Sequence, residues 1–493
     1  MSSNAPSLVP RSMLVTFILV TSLFALWGFA NDMTNPLVKA FKDIFVISNA
    51  QSSLVQTAFY GGYATMALPA ALFIRRFSYK AGIVVGLALY GVGAMLTLPA
   101  AASANFNLFL VSLYVLTFGL AFLETTANPY ILSLGAPETA TRRLNLAQSF
   151  NPMGSLTGMT VASLIILSSL SVEEFRADLG SYQKEESETI DTNLKEFLDT
   201  EGGRREEAGE LPFTTLSYDV ALADALKAFK NGEIETYRDT TYEEMRNHDL
   251  SIIKTPYVII GIIVFGMMIV FILTPMPKTG EHHESLKLGA TFKILFKNKR
   301  YLEGVFAQGF YVGAQIMCWT FIIHYATGNL GVSAATAQNY NIIAMSIFCA
   351  SRFICTFFLR YISPGKLLLI LASAAAVLIL GVIFINGYVG LYCLIGVSAC
   401  MSVMFPTIYG IALDGMGDEA KIASAGLIFA IVGGALLPFL QGFVIDRGDS
   451  NGLILGLPAV SFSFVLVLIC FLVIANFGRR TLKVHHEAAE SVS

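Results

Sequence analysis

The sequence predicts an all-α membrane protein: twelve transmembrane helices in two six-helix bundles, with a small extracellular insert. Two observations carry this prediction. Of the 493 residues, 55% are AVILMFWYC and 14% are charged, where a soluble domain carries about 25% charged residues. That polar share is too small to wrap a water-soluble core, and the mean hydropathy is +0.64. Such a composition excludes a soluble enzyme, a disordered chain and a collagen-like fibre. The second observation is a succession of apolar runs, each near the ~20 residues a helix needs to cross ~30 Å of hydrocarbon.

Twelve runs lie near residues 13–31, 52–74, 81–102, 107–134, 145–170, 256–276, 302–325, 336–360, 365–387, 388–413, 422–446 and 453–477. The first is too long for a removable signal peptide and has no small-residue cleavage site, so it counts as a span. Only Gly387 and Tyr388 separate the ninth run from the tenth. A basic connector between the sixth and seventh runs gives a 6+6 plan. Internal duplication shows weakly: "ALFIRRFSYKAG" follows span two and "FFLRYISPGK" follows span eight, the equivalent place in the second half. The chain accordingly divides into residues 1–170 (spans one to five), an acidic insert at 171–254, span six at 255–276, a connector at 277–300, the second bundle at 301–478 and a tail at 479–493. Paired halves of this kind point to a rocking transporter with its site near the midplane.

The net charge of −3 averages two unlike regions. Residues 171–250 hold 21 of the 35 acids and 9 of the 32 Lys and Arg, a local −12, which leaves 14 acids and 23 bases, or +9, elsewhere. Those bases are scattered through short loops and form no stripe, which fits cationic cytoplasmic loops and argues against a nucleic-acid partner. Arg75, Arg76, Lys80, Arg142, Arg143, the bases of residues 278–300, Arg360, Lys366, Lys421, Arg479, Arg480 and Lys483 fall on one side. Apart from the insert, the other side carries Lys39, Lys42 and Arg447. Both termini are therefore expected to be cytoplasmic, in a multi-pass protein of the plasma membrane. The insert is then extracellular, and its helix-forming segments, with apolar residues three and four apart, predict a small amphipathic cap divided at Gly202 and Gly203.

Ionisable groups at membrane depth cost several kcal/mol, so each one is a functional candidate. Glu124, in "GLAFLETTANPYIL", lies deep in span four with Thr125, Thr126 and Asn128 behind it. Hydrocarbon disfavours the charged form of a carboxylate, which suits such a group to taking up and releasing a proton. The structural alternative is a carboxylate locked to a partner. Asp32 closes span one in "ALWGFANDMTNPL", where Asn31, Thr34, Asn35 and Pro36 are expected to break the helix. It is read either as a second proton site or as the point where the helix leaves the membrane. Asn31 and Asn35 fit a sugar site in both cases, since broken helices offer hydrogen bonds at depth. Gln148 and Asn151, in "RRLNLAQSFNPMG", share one face of span five by their spacing, with Asn145 a turn back. Amides both donate and accept, as vicinal hydroxyls require. In the second half Gln315 and Trp319 stand one turn apart, an amide beside a ring on which a sugar can stack. For each amide, a role as interhelical glue is the alternative.

Other chemistries find no support. There is no GxSxG, GxxxxGK[ST] or HExxH pattern, so no catalytic residues are expected, and uphill transport would draw on an ion gradient. The six cysteines (Cys318, Cys349, Cys355, Cys393, Cys400 and Cys470) sit in apolar stretches of the second half and read as core residues. Four of the six histidines (His282, His283, His485 and His486) lie in connectors or the tail. Neither a metal centre nor a cofactor is expected.

Several motifs together resemble one family. "LWGFAND" at 26–32, "AFYGGY" at 58–63, "FSYKAG" at 77–82, "LETTANPY" at 123–130, "RLNLAQSFNP" at 143–152, "YVGAQ" at 311–315 with Cys318 and Trp319, and "FPTI" at 405–408 are similar to the fucose/galactose/glucose:proton symporters of the major facilitator superfamily, most of all the L-fucose permease branch. The resemblance implies the major facilitator fold. It also implies that Glu124 is an essential carboxylate of proton-coupled sugar translocation, that Gln148 and Asn151 line the central cavity, and that Gln315 and Trp319 form the opposing wall; Asn128, in the polar run behind Glu124, is likewise expected to bind the substrate. One departure stands out: the family's second carboxylate in span one falls at Asn35, whereas the acid here is Asp32, one helical turn or about 4.5 Å of rise earlier. The expected partners are lipid, a neutral sugar (L-fucose or a near relative) and a proton, with the monomer as the working unit. A glucose or galactose carrier, a uniporter and a sugar sensor using the acidic insert are the alternatives.

Overall fold

The computed structural model describes residues 7–47, 51, 54–184, 190–216, 218–277, 288–330, 332, 334–445, 447 and 453–482. The first bundle contains α1 (Leu14–Phe45), α2 (Leu54–Arg76), α3 (Tyr79–Met95), α4 (Phe106–Ser133), a fifth span broken into α5 (Ala140–Gln148) and α6 (Phe150–Val161), and a sixth span whose helix follows the insert. The insert forms α7 (Ser171–Gln183), α8 (Thr192–Glu207) and α9 (Tyr218–Asn231), and α10 (Tyr242–Leu273) is the sixth span. After α11 (Leu288–Lys297) in the connector, the second bundle contains α12 (Lys299–Leu330), α13 (Ala334–Phe358) and α14 (Pro364–Phe384). Its tenth span is broken into α15 (Tyr388–Met401) and α16 (Met404–Leu413), its eleventh into α17 (Ala420–Phe429) and α18 (Gly433–Ile445), and α19 (Val465–Arg480) closes it. Among the described residues eleven helical stretches are long and apolar enough to span, and a twelfth when the interrupted fifth, Pro137–Ile166, is taken with α7, to which it is bent by 70°.

The helix ends follow from local chemistry. Ser78 Oγ accepts the Ala81 amide at 3.1 Å to start α3, and Asn105 Oδ1 accepts the Leu108 amide at 3.2 Å to start α4. Cations close C-termini, where carbonyls lack partners. Lys80 Nζ donates to the Ile272 and Thr274 carbonyls at 2.8 and 2.9 Å, and the fully buried Arg143 donates to those of Ile131 and Leu132 at 2.8 and 2.5 Å. The break before the tenth span is made by Gly387, whose φ of +85° suits only glycine without strain. Close packing depends on small residues: a Cβ on Gly154 of α6 would run into the Ala25 carbonyl of α1.

Three expectations change. Span one is not broken at Asn31 to Pro36: α1 is continuous from Leu14 to Phe45, so Asp32 lies within the helix and does not end it. A proline removes one ladder bond, and packing of α1 along α6 holds the rest. Gly202 and Gly203 do not divide the insert; both lie inside α8, which is started by Asp191 Oδ1 accepting the Leu194 amide at 3.0 Å and anchored by buried Leu194 and Leu198. Two glycines cost only about 1 kcal/mol each in a helix. The boundary expected at 254/255 falls inside α10, which starts at Tyr242 with a capping box between Thr241 and Glu244.

The insert is a folded cap. Phe175 and Phe229 stack at 5.8 Å, and the Tyr237 hydroxyl donates to Asp178 Oδ2 at 2.9 Å. Arg176 pairs with the buried Asp43 of α1, Lys230 Nζ donates to the Phe45 carbonyl at 3.1 Å, and the Tyr242 hydroxyl to that of Ile44 at 2.9 Å. The cap is thus fastened to the end of α1.

The two bundles meet on the side that carries the described termini and the connector. There α17 packs on α2 and α4, and α16 on α5. Gly410 of α16 lies so close to Thr141 of α5 that a side chain would not fit. Ser424 Oγ donates to the Thr125 carbonyl at 3.3 Å, and Lys421 lies 4.9 Å over the Tyr79 ring.

Candidate substrate and proton site

Glu124 lies in α4 at this bundle interface and is 7% exposed. Its Oε2 is buried and, among the described residues, has no hydrogen-bond partner. Two tyrosines interact with its charge, Tyr63 from α2 and Tyr409 from α16 of the other bundle. No basic group is paired with it among the described residues, so the locked-carboxylate alternative finds no partner there.

The polar run after Glu124 is held by its own helix and by span five. Asn128 Nδ2 donates to the Glu124 carbonyl at 2.9 Å, and Gln148 Nε2 donates to Asn128 Oδ1 at 2.7 Å. Gln148 and Asn151 do not act on one face. The break at Ser149 turns them to different neighbours, and Asn151 Nδ2 donates to the Phe24 carbonyl of α1 at 3.2 Å, a helix-to-helix contact. Asn145 Nδ2 donates across the bundle interface to Thr407 Oγ1 at 3.2 Å.

On α1, Asn31 faces the Tyr63 hydroxyl and the half-buried Asp32 interacts with Tyr60. Tyr60 and Tyr63 are one turn apart on α2, so this helix links the Asp32 and Glu124 regions along one face. The side chain of Asn35 lies outside the described residues, as do His282, His283, His485 and His486. In α12, Gln315 and Trp319 are half-buried. The indole is held firmly: Nε1 donates to Ser398 Oγ at 3.3 Å and the ring meets Phe348 edge-on at 5.0 Å.

Sequence reasoning missed Arg352, which is 3% exposed within α13. The signal was present, since an arginine inside the apolar run "FCASRFICT" satisfies the same criterion that singles out Glu124. Tyr63 and Tyr409 were not legible, because membrane tyrosines are numerous and only packing selects these two. Among the described residues no three His, Cys, Asp or Glu side chains come together as a metal site.

Two helical bundles that close on one side over a membrane-depth carboxylate and a chain of amides define a transporter of the alternating-access kind, not an enzyme. Residues 15–177 match the Major Facilitator Superfamily profile. The chain is 50% identical to the L-fucose-proton symporter of Haemophilus influenzae, over 96% of this chain and 98% of that one. It is 31% identical to the L-fucose-proton symporter of Escherichia coli, over 94% of each. The glucose/galactose transporter of Brucella abortus is 27% identical over 93% of this chain and 92% of its own. The crystal structure of FucP, a Major Facilitator Superfamily transporter in the outward conformation, superposes with a TM-score of 0.76 at 31% identity, covering 96% of this chain and 99% of that one. The chain belongs to the major facilitator superfamily, in its fucose/galactose/glucose:proton symporter family.

Proposed function

We propose that this protein takes up L-fucose, or a closely related neutral monosaccharide, together with a proton by alternating access. The observation that carries this reading is Glu124: a buried acid whose Oε2 has no partner among the described residues, next to the Asn128 and Gln148 amides and at the seam where the bundles meet. Glu124 takes the proton. In its neutral form the carrier core sheds the cost of a bare charge in a closed, dry interface, and the loaded bundles can rock. Asn31, Asn128 and Gln148 offer hydrogen bonds to sugar hydroxyls, with Gln315 and the Trp319 ring on the facing wall. Asp32, through Tyr60, is the second titrating group in place of the acid that the family carries at the position of Asn35. Asn151 supports the cavity through α1. The termini are cytoplasmic, so the closed side is cytoplasmic, the protein is outward-facing and the cap is extracellular. The monomer is the working unit.

Adding L-fucose to de-energised cells that express the protein is expected to make the medium alkaline as protons enter with sugar. Sugar entry without proton movement would exclude symport. A glucose or galactose substrate is the second reading, favoured by the similarity to the Brucella abortus transporter, and a competition panel in reconstituted vesicles decides between them. The sensor reading is tested by deleting the insert. The Ser171 and Val172 amides donate to Asp249 at 2.8 and 2.9 Å, so the two ends of the cap are adjacent and can be rejoined by a short linker. Removal of residues 171–250 is expected to leave most uptake intact; loss of all uptake from a folded, membrane-inserted variant would give the cap an obligatory role.

A further inference from the structure

Arg352 is a buried cation at membrane depth that the sugar and proton chemistry above does not use. Among the described residues no carboxylate pairs with it. Its Nη1 donates to the Gln148 carbonyl at 2.9 Å and its Nε to the Ser402 carbonyl, while the Phe348 ring lies 4.6 Å from the guanidinium carbon. Those two carbonyls have a common origin. Gln148 is the last residue of α5, where span five breaks, and Ser402 is the C-cap of α15, where span ten breaks. Each break leaves carbonyls without an intrahelical partner and presents the negative end of a helix. One of these ends belongs to the first bundle and the other to the second. Tyr311, whose hydroxyl donates to the Met401 carbonyl at 3.1 Å, faces the guanidinium from α12 and braces the same break. In transporters with discontinuous helices such carbonyls coordinate a coupling cation; here the cation is built in and tethered to α13.

We propose that Arg352 is an inter-bundle latch: by bonding a freed carbonyl of each bundle, it holds the terminal side closed and fixes Gln148, whose amide orients Asn128. The tether decides what happens on rocking. Arg352 and Ser402 belong to the same bundle and move together, so the bond to Gln148 is the one that must break when the terminal side opens. The residue is a positioning residue, and its loss shifts the conformational balance.

The test is a distance measurement on full-length protein in lipid nanodiscs, with no sugar and no proton gradient, so its outcome is independent of the symport reading. With the six native cysteines replaced by alanine, spin labels at R142C and R360C report the separation of α5 and the end of α13 across the terminal side. In R352M the population with separated labels is expected to rise about tenfold, as loss of a charge-assisted hydrogen bond dictates. R352K keeps the charge but cannot span two carbonyls with a rigid fork, and is expected to lie between R352M and the parent. If R352M fails to fold, R352K alone decides. A folded variant of either kind with the parent's distance distribution overturns the latch.

Discussion

Replacing Glu124 with glutamine is expected to abolish accumulation of sugar against its gradient while leaving exchange across the membrane partly intact. Glutamine has nearly the same shape as a protonated glutamate and carries no charge, so Glu124→Gln holds the site permanently in the neutral form. Exchange needs only that the loaded carrier rock in both directions, which the neutral form permits. Net uphill uptake needs the group to pick up a proton on one side and lose it on the other, which glutamine cannot do. The environment makes the effect large: Glu124 is 7% exposed and its Oε2 has no partner among the described residues. In vesicles with an imposed proton gradient, internal sugar should rise no higher than the external concentration, with counterflow still measurable. Accumulation equal to the parent's would remove Glu124 as the coupling group and pass that role to Asp32.

Replacing Arg176 with alanine is expected to detach the cap from α1. Asp43 is 5% exposed and lies against Arg176, which also holds Glu173 at 2.5 Å. Removing one member of a buried pair costs about 3–5 kcal/mol. Two further attachments, Lys230 and Tyr242 to backbone carbonyls of α1, are neutral-acceptor bonds worth about 1–3 kcal/mol each. Limited proteolysis is the measurement: R176A should be cut within residues 184–217 much faster than the parent, and the double variant D43N/R176M should recover much of the protection because it removes both charges of the pair. Equal cleavage rates in R176A and the parent would show that apolar packing alone seats the cap.

Much of the architecture was legible because it rests on local properties. A run of apolar residues must cross the bilayer or be buried wherever it occurs, so the spans, the 6+6 division and the break at Gly387 could be read directly. The insert's amphipathic spacing likewise foretold a folded cap. The errors arose where a residue's polarity was taken as a statement about the backbone. Asn31 to Pro36 suggested a broken helix, and Gly202 with Gly203 a hinge, yet both sit in continuous helices because packing and capping outweigh a few local penalties. The breaks that matter, at Ser149 and at Ser402, did carry a signal that sequence reasoning passed over: Pro152 and Pro406 each stand four residues after a carbonyl, Gln148 and Ser402, that their missing amides leave unbonded.

The sequence by itself determined that this is a two-bundle membrane transporter with an acid at depth in span four, since hydrophobic length and the cost of a buried charge are properties of a segment, not of its neighbours. Only the tertiary structure decided which polar groups meet: that Gln148 turns to Asn128 while Asn151 turns to α1, that Tyr63 and Tyr409 of opposite bundles come under the charge of Glu124, and that Arg352 joins two helix ends far apart in the chain. Hydrogen bonds act over about 3 Å, and which groups come that close is set by the packing of helices hundreds of residues apart, which no local pattern records.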